Sequence, residues 1–227
     1  VFHESGTLVS GIIGGLYSST ATISVLARKS RKASEQEATD YVAAMLLAVS
    51  MMFLRFMILI LIFSREIFLS IYPYLLTMAV VAAIVAWFIH SRQKRPEDQP
   101  AETEEDDSSN PLEFKVALIF AVLFVIFTFL THYTLVYAGT GGLNLLSFVS
   151  GFSDITPFIL NLLQNTGSVA ALIITACSMQ AIISNIMVNM FYALFFAGKG
   201  SKLRPWILGG FGVVITCNLV LLLFFYI

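Results

Sequence analysis

Charge is scarce in this chain. Only 12% of its 227 residues are Asp, Glu, Lys or Arg, against roughly 25% in soluble globular domains. Hydrophobic residues make up 58% of the sequence, and the formal net charge is −1. This composition excludes a soluble protein, and the lack of a basic surface excludes nucleic acid as a partner. The chain is an integral membrane protein, and its first partner is the lipid bilayer.

Cysteine and histidine are also rare, and neither has the spacing of a metal site. Cys177 and Cys217 lie in separate apolar stretches without a CxxC pattern. His3, His90 and His132 are far apart in the sequence. We interpret both cysteines as small core residues and predict no cofactor.

Motifs of known catalytic chemistry are missing. The sequence contains no GxSxG, HExxH, P-loop or GxGxxG pattern, the patterns that serve hydrolysis, zinc binding and nucleotide binding. An intramembrane hydrolase would need a second carboxylate or a Ser–Lys pair, and the apolar segments offer neither. We therefore predict no catalytic residue and no enzymatic activity.

Long apolar segments dominate the chain. A helix that crosses about 30 Å of hydrocarbon needs about 20 apolar residues, and seven stretches reach that length. They are 7–27, 41–64, 67–90, 112–137, 143–164, 168–197 and 205–227. The predicted fold is all-α and polytopic, with about 5–7 transmembrane helices. The acidic, proline-containing stretch 91–111 is expected to be a disordered linker.

Two of the seven segments are interrupted by residues that disfavour a plain helix. Glycines and hydroxyls crowd 7–27, and 143–164 contains a glycine, an aspartate and a proline within seven residues. Proline removes a backbone hydrogen bond, and aspartate carries charge into hydrocarbon. We predict backbone breaks at four positions: Gly14, Gly15, Gly151 and Pro157.

The distribution of Lys and Arg bears on topology. If 143–164 crosses the membrane, the basic loop 199–204 lies outside, against the positive-inside rule. If 143–164 dips in and returns, only Arg65 among the loop cations lies outside. Charge placement therefore favours a re-entrant segment over a full crossing.

The order of segments occurs twice. Residues 1–90 and 138–227 each hold a broken segment followed by two helices, and 112–137 links them. If both broken segments are re-entrant, the two repeats are inverted, as in secondary transporters that place their sites where interrupted helices meet. The alternative is that the two halves look alike only because the apolar segments of any membrane protein are built from few residue types.

Only Arg55 and Asp154 carry charge well inside apolar segments. Each costs at least about 2.5 kcal/mol at the bilayer centre, so we expect them to pair or to line a wet cavity. The alternative to a functional site is an ion pair between Arg55 and Asp154 that has a purely architectural role.

Hydroxyls and amides gather near these charges. Their oxygens, together with carbonyls freed at a break, suit a hard cation, and the single carboxylate favours a cation or a proton over an anion. The metal is not indicated. The predicted ion-binding residues are Asp154, Thr156, Ser153, Ser18, Ser19, Thr20 and Asn185, with Arg55 as charge partner or gate. The alternative is that these groups serve helix packing or bond to their own helices.

Several short patterns together resemble one family. They are Ser10-Gly11, Gly14-Gly15-Leu16-Tyr17-Ser18-Ser19-Thr20-Ala21-Thr22, Leu26-Ala27-Arg28, Arg55, Asn110-Pro111, Ser150-Gly151, Asp154 and Ser184-Asn185. This set is similar to the domain of unknown function that follows the MgtC/SapB-like region in prokaryotic membrane proteins. The family pattern has Asp-Ala where this chain has Asp154-Ile155.

The resemblance implies a multi-pass protein of the bacterial or archaeal inner membrane, described as a magnesium-linked transporter. It also implies an MgtC-like domain upstream, and the first residue, Val, agrees with that expectation. We expect a homodimer, because one buried carboxylate is few for Mg²⁺ and a second copy would supply another.

These observations predict an ion channel or transporter for a cation or a proton, with a midplane site formed by the broken segments. The alternative is a membrane subunit that regulates or scaffolds another protein without transport.

Overall fold

A computed structural model describes residues 4–31, 35–92, 111–152, 154–164, 169–198, 201 and 203–226. Over these residues the fold is entirely α-helical, which confirms the predicted fold class. The helices are α1 (Glu4–Lys29), α2 (Glu35–Phe63), α3 (Arg65–Ser91), α4 (Pro111–Ser150), α5 (Ile155–Gln164), α6 (Ala171–Ala197) and α7 (Arg204–Tyr226).

Five helices in the described part of the chain are long and apolar enough to cross a membrane. By length and composition alone they lie within α1, α2, α3, α6 and α7, of which α1 is interrupted at Ser18. Two shorter apolar helices, Gly141–Ser150 and Ile155–Gln164, have only ten residues each, which is about 15 Å of helix and half a bilayer. The protein is therefore a multi-pass membrane protein that combines full-length with half-length helices.

The predicted helix 112–137 corresponds to the first part of α4. Helix α4 is broken at Gly139, where φ is +56° and ψ is −148°, and its second part runs to Ser150. Only glycine adopts this backbone conformation without strain. The break ends a helix over 111–138 and starts the half-length helix that follows. Residues 93–110, most of the predicted linker, lie outside the described residues.

The chain divides into two compact units. The first consists of residues 1–97 and 186–227. In it, α2 and α3 form an antiparallel pair joined at Ser64, whose side chain accepts a hydrogen bond from the backbone N–H of Ile67 and caps α3. Phe53 and Phe56 of α2 and Leu75 of α3 are fully buried and form part of the core of this unit.

Helix α7 packs against α3 and α2 within the first unit. Gly210 of α7 lies against the side chains of Leu46 and Ile89, where its missing side chain leaves room for close approach. Further along the same helix, the hydroxyl of Tyr74 donates to the side-chain carbonyl of Asn218, and both residues are buried. A polar pair of this kind fixes the register of two apolar helices.

Several charged residues of the first unit lie near the C-terminal ends of α1, α3 and α6. His90 Nδ1 lies 2.7 Å from Asp40 Oδ1, which joins the end of α3 to the start of α2. The Arg28 guanidinium lies 4.3 Å from the centre of the Phe196 ring, and Arg31 donates to the carbonyls of Phe195 and Phe196. Arg28 in the last turn of α1 and Arg31 just after it thus lie against the C-terminal end of α6, where the helix dipole is negative.

The second unit consists of residues 98–185. Helix α5 packs on the first part of α4: the rings of Phe127 and Phe158 are 5.7 Å apart, and Asn161 Nδ2 donates to Thr128 Oγ1 at 2.8 Å. The first half of α6 belongs to the same unit, and it carries most of the polar contacts described next.

Candidate functional site

The half-length helix Gly141–Ser150 runs alongside the first half of α6 in the same direction. Four polar contacts show this, and in each the residue number rises on both helices together. They are Cys177 Sγ to Asn144 Oδ1 (3.3 Å), Ser147 Oγ to Gln180 Oε1 (2.9 Å), Ser184 Oγ to the Phe148 carbonyl (2.6 Å) and Asn185 Nδ2 to the Gly151 carbonyl (3.2 Å). The two helices are therefore parallel neighbours.

A parallel arrangement requires the chain between them to turn back. Gly151 lies level with Ser184, whereas α6 begins at Ala171, which is about 20 Å lower at 1.5 Å per residue. The ten residues of α5 return most of that distance. Gly141–Ser150 and α5 are therefore the two arms of a helical hairpin, here called the second hairpin, with its tip at residues 151–154.

The tip of the second hairpin lies at half the height of α6. Ser184, which touches Gly151, is thirteen residues from each end of this 27-residue helix. This is the geometry that a re-entrant segment has, and it agrees with the topology that charge placement favours.

Asp154 and Thr156 occupy the tip. Asp154 Oδ1 accepts hydrogen bonds from the backbone N–H of Thr156 at 2.9 Å and from its hydroxyl at 2.7 Å. The carboxylate thus caps the N-terminus of α5, where the helix dipole favours a negative charge. Asp154 is nevertheless exposed. The structure brings these two predicted site residues together; Ser153, predicted with them, lies outside the described residues.

Asn185 and Ser184 hold the tip in place. Their side chains donate to the carbonyls of Gly151 and Phe148, both in the last turn of the first arm or just after it. The Phe148 carbonyl also accepts the backbone N–H of Gly151 at 3.3 Å. A Cβ on Gly151 would overlap Ser184 and would lie 2.7 Å from the backbone nitrogen of Asn185. Asn185 was predicted as an ion ligand, and here its side chain holds the tip of the second hairpin. Its ion-binding role stays a prediction.

The predicted break at Pro157 is wrong in its position. Pro157 lies in the first turn of α5 and is buried, a position where the missing N–H has no helical partner to lose. The chain breaks earlier, between Ser150 and Ile155. Gly151 does lie at the break, as predicted.

In the first unit, α1 forms a similar hairpin, here called the first hairpin, with arms 4–17 and 19–29. A Cβ on Gly11 would lie 2.9 Å from Ala44 Cα, and a Cβ on Gly15 would lie 2.5 Å from Ala48 Cα. Small residues spaced by four on both helices allow this close approach. The predicted breaks at Gly14 and Gly15 are wrong: both are helical.

The break of the first hairpin is at Ser18, whose backbone is extended (φ −154°, ψ 106°). Its hydroxyl accepts from the N–H of Ala21 at 3.3 Å and so caps the second arm. The two arms meet closely, because a Cβ on Gly14 would lie 2.5 Å from the hydroxyl of Thr22. Thr22 itself donates to the Ser18 carbonyl at 2.8 Å.

Arg55 binds at this break. Its Nη1 donates to the carbonyl of Tyr17 at 2.6 Å, at the C-terminal end of the first arm. A cation is favoured at a helix C-terminus, and this contact offsets part of the cost of a charge in an apolar helix. Arg55 and Asp154 belong to different units, and their predicted pairing stays a prediction.

Two further predicted residues follow the break. Ser19 is buried, with 3% of its surface exposed, and Thr20 is half-buried. The carbonyl of Thr20 accepts the hydroxyl of Ser24 at 2.8 Å. Their role as ion ligands stays a prediction.

Both hairpins share one register with the long helix that follows. Gly11 and Gly15 face residues 33 positions later, and so do Asn144, Ser147 and Gly151. This is a local feature that two repeats would have in common. The repeat as a whole, and its inversion, stay predictions.

Sequence reasoning missed Asn144, Ser147 and Cys177 as members of the clamp between the second hairpin and α6. A signal was present, since polar residues recur on α6 at Cys177, Gln180 and Ser184, spaced by three and four. Among the described residues no three His, Cys, Asp or Glu side chains come together in a group that could hold a metal ion.

The helices, their hairpins and their apolar surfaces define a polytopic α-helical membrane protein. The chain belongs to the family described as a domain of unknown function (DUF4010), which matches residues 1–197. It is similar to an uncharacterized protein of Aquifex aeolicus (strain VF5), with 24% identity over 227 residues that cover 97% of this chain and 96% of the relative. No solved structure matches the chain. The resemblance to the domain that follows an MgtC-like region stays a prediction.

Proposed function

We propose that the protein moves a cation or a proton across a membrane, with Asp154 at the tip of the second hairpin as the central site residue. The observation that carries this proposal is the exposure of Asp154 at half the height of α6. Helix α6 has 27 residues, or about 40 Å, so its middle lies near the middle of a bilayer.

An exposed carboxylate at this depth needs water or an ion beside it. In hydrocarbon it would cost at least about 2.5 kcal/mol, and capping α5 offsets only about 0.5–2 kcal/mol of that. Serine or asparagine would cap the helix as well, without the free-energy cost of placing a charge in hydrocarbon. The position of the charge therefore supports a site that water reaches.

The contacts around Asp154 suit a small cation or a proton. The carboxylate and the hydroxyl of Thr156 present oxygens next to each other, the ligand type that hard cations prefer. Ser184 and Asn185 hold the neighbouring backbone, so the tip is preorganised. For Mg²⁺, the same site would need retained water or Asp154 of a second copy, and a homodimer in a prokaryotic inner membrane is part of the proposal.

A second candidate is a membrane subunit that regulates or scaffolds another protein without transport. One observation favours it: the polar side chains of Ser184, Asn185 and Gln180 are all engaged in contacts that hold the hairpin. Polar residues used only as helix contacts would serve such a subunit equally well.

The test is ion flux into proteoliposomes that contain the purified chain, measured for a panel of cations and for protons. Asp154→Asn is the variant, because asparagine caps a helix as well as aspartate does and the fold should survive. Glu66→Gln is the matched control, since Glu66 is an exposed carboxylate in the first turn of α3. We expect selective flux in the parent and in the control, and its loss in Asp154→Asn. Equal flux in all three proteins, or none in the folded parent, would contradict the proposal.

A further inference from the structure

Serine and threonine hydroxyls on the described helices differ in whether they have a hydrogen-bond partner. Many serine and threonine hydroxyls donate to a carbonyl three or four residues earlier in their own helix, as expected in apolar helices. They include Thr22, Ser24, Ser30, Thr77, Ser91 and Ser150. Thr131, Thr175 and Ser178 differ, because each is fully buried and its hydroxyl has no hydrogen-bond partner among the described residues.

Thr175 and Ser178 lie on one face of α6, a turn apart, and this face continues through Ile182 to Asn185. At 3.6 residues per turn, positions separated by three, four and three residues form one stripe along a helix. The stripe extends about 15 Å from the N-terminal part of α6. It ends at the residue that binds the Gly151 carbonyl at the tip of the second hairpin.

Apart from Asn185 at its end, this face is separate from the residues that clamp the second hairpin. Cys177, Gln180 and Ser184 make the clamp with the first arm, and they lie to the side of Thr175 and Ser178 on the helix. The two hydroxyls therefore play no part in the clamp. Burying a hydroxyl without a partner is unfavourable, and native proteins satisfy such groups with protein atoms or with ordered water.

We propose that the face of α6 carrying Thr175, Ser178 and Asn185, which is closed in this structure, opens to line a narrow water-filled path from the N-terminal part of α6 to the tip of the second hairpin. The ligand is water, and through it a proton or a small hydrated cation. Each hydroxyl both donates and accepts, which is what a chain of waters requires of its walls. Ile182, fully buried on the same stripe, forms the apolar constriction of the path.

The inference rests on the proposed function, because the path supplies Asp154. It also adds to it, since it names the side of the hairpin from which water enters. Thr175, Ser178 and Asp154 all belong to the second unit, so the path is contained within residues 98–185.

Cysteine accessibility tests the path directly. In a chain with Cys177→Ala and Cys217→Ala, single cysteines replace Thr175, Ser178 or, as the control, Ile183. Ile183 is also buried, with 4% of its surface exposed, but it lies off the stripe, eight residues after Thr175 and five after Ser178. A small charged methanethiosulfonate modifies only thiolates in contact with water, so we expect modification at 175 and 178 to be at least about tenfold faster than at 183. Equal rates at the three positions would overturn the proposal.

A second measurement uses shape-matched apolar variants. For Thr175→Val and Ser178→Ala, a hydrated path predicts a several-fold loss of flux without a gain in melting temperature. Dry hydroxyls predict the reverse, a higher melting temperature with unchanged flux, and that result would refute the path. If the cysteines react but the protein shows no flux, the path is supported and the transport proposal is wrong. If the protein shows flux but the cysteines do not react, transport is supported and the path is wrong.

Discussion

The side-chain amide of Asn185 donates to the carbonyl of Gly151 at 3.2 Å, at the point where the first arm of the second hairpin ends. In the other unit, the guanidinium of Arg55 donates to the carbonyl of Tyr17 at 2.6 Å, where the first arm of the first hairpin ends. In each unit, therefore, a donor from the following long helix binds a carbonyl that the break has freed. Such donors stabilise turns that would otherwise expose backbone groups to hydrocarbon.

Removal of the Asn185 amide tests this role. Asn185→Leu keeps the approximate volume but leaves the Gly151 carbonyl without this donor, so we expect a loss of about 1–3 kcal/mol in unfolding free energy. Thermal unfolding in detergent is the measurement. Gln164→Leu, at an exposed position at the end of α5, is the control and should change stability little. Equal effects of the two substitutions would show that the Asn185 contact is unimportant.

Gly151→Ala should destabilise the protein through overlap with α6. The added Cβ would lie 2.7 Å from the backbone nitrogen of Asn185 and closer still to Ser184, and overpacking of this kind costs about 1–3 kcal/mol. Gly141→Ala is the matched control, because a Cβ there meets nothing within 4 Å and alanine favours a helix by about 0.5–1 kcal/mol. The melting temperature should fall for the first variant and stay or rise for the second. A stable Gly151→Ala protein would argue against the close contact.

Gly15→Ala tests the packing of the first hairpin in the same way. Its Cβ would lie 2.5 Å from Ala48 Cα, a backbone atom that cannot move aside without shifting α2. We expect a cost of about 1–3 kcal/mol. Gly6→Ala, with nothing within 4 Å, should be neutral. If both variants unfold at the same temperature, the first arm does not pack on α2 at this position.

Arg55 should tolerate lysine better than methionine. Arg55→Met removes the charged donor to Tyr17, and hydrogen bonds of charged groups contribute about 1.5–3 kcal/mol. Arg55→Lys keeps a cation at the end of the first arm but loses the planar guanidinium, so we expect an intermediate loss. Unfolding in detergent provides the comparison. A methionine variant as stable as the parent would assign Arg55 a role other than holding the break.

The hydrogen bond between Tyr74 and Asn218 should show measurable coupling. Tyr74→Phe and Asn218→Leu each remove one partner of the buried pair that joins α3 to α7. In a double-mutant cycle we expect a coupling of about 0.6–1.7 kcal/mol, the range found for such bonds between membrane helices. Strictly additive effects of the two changes would mean that the pair does not contribute to packing.

Much of the secondary structure follows from local sequence. The apolar segments 41–64, 67–90, 168–197 and 205–227 correspond to α2, α3, α6 and α7, because a helix is the structure that satisfies its own backbone in hydrocarbon. The presence of an interruption in each hairpin was also predictable. Its position was predicted less well, since Gly14 and Gly15 are helical and the first chain break is at Ser18.

The wrong prediction of backbone breaks at Gly14 and Gly15 has a physical reason. A glycine in a membrane helix serves either a break or a close helix contact, and the two uses look alike in sequence. Gly15 serves a contact, since Ala48 lies against it. Gly139 serves a break, since its φ is +56°. Only the position of the neighbouring helix distinguishes the two.

The sequence by itself determined that this is an all-α membrane protein, that two of its segments are interrupted, and that Asp154 lies within one of them. Composition, segment length and helix-breaking residues are local properties, so they can be read without the fold. The tertiary structure decided that the interrupted segments turn back on themselves and that Asn185 and Arg55 hold the turns. Those outcomes depend on contacts between residues more than thirty positions apart, and no local pattern determines which distant side chain reaches a freed carbonyl.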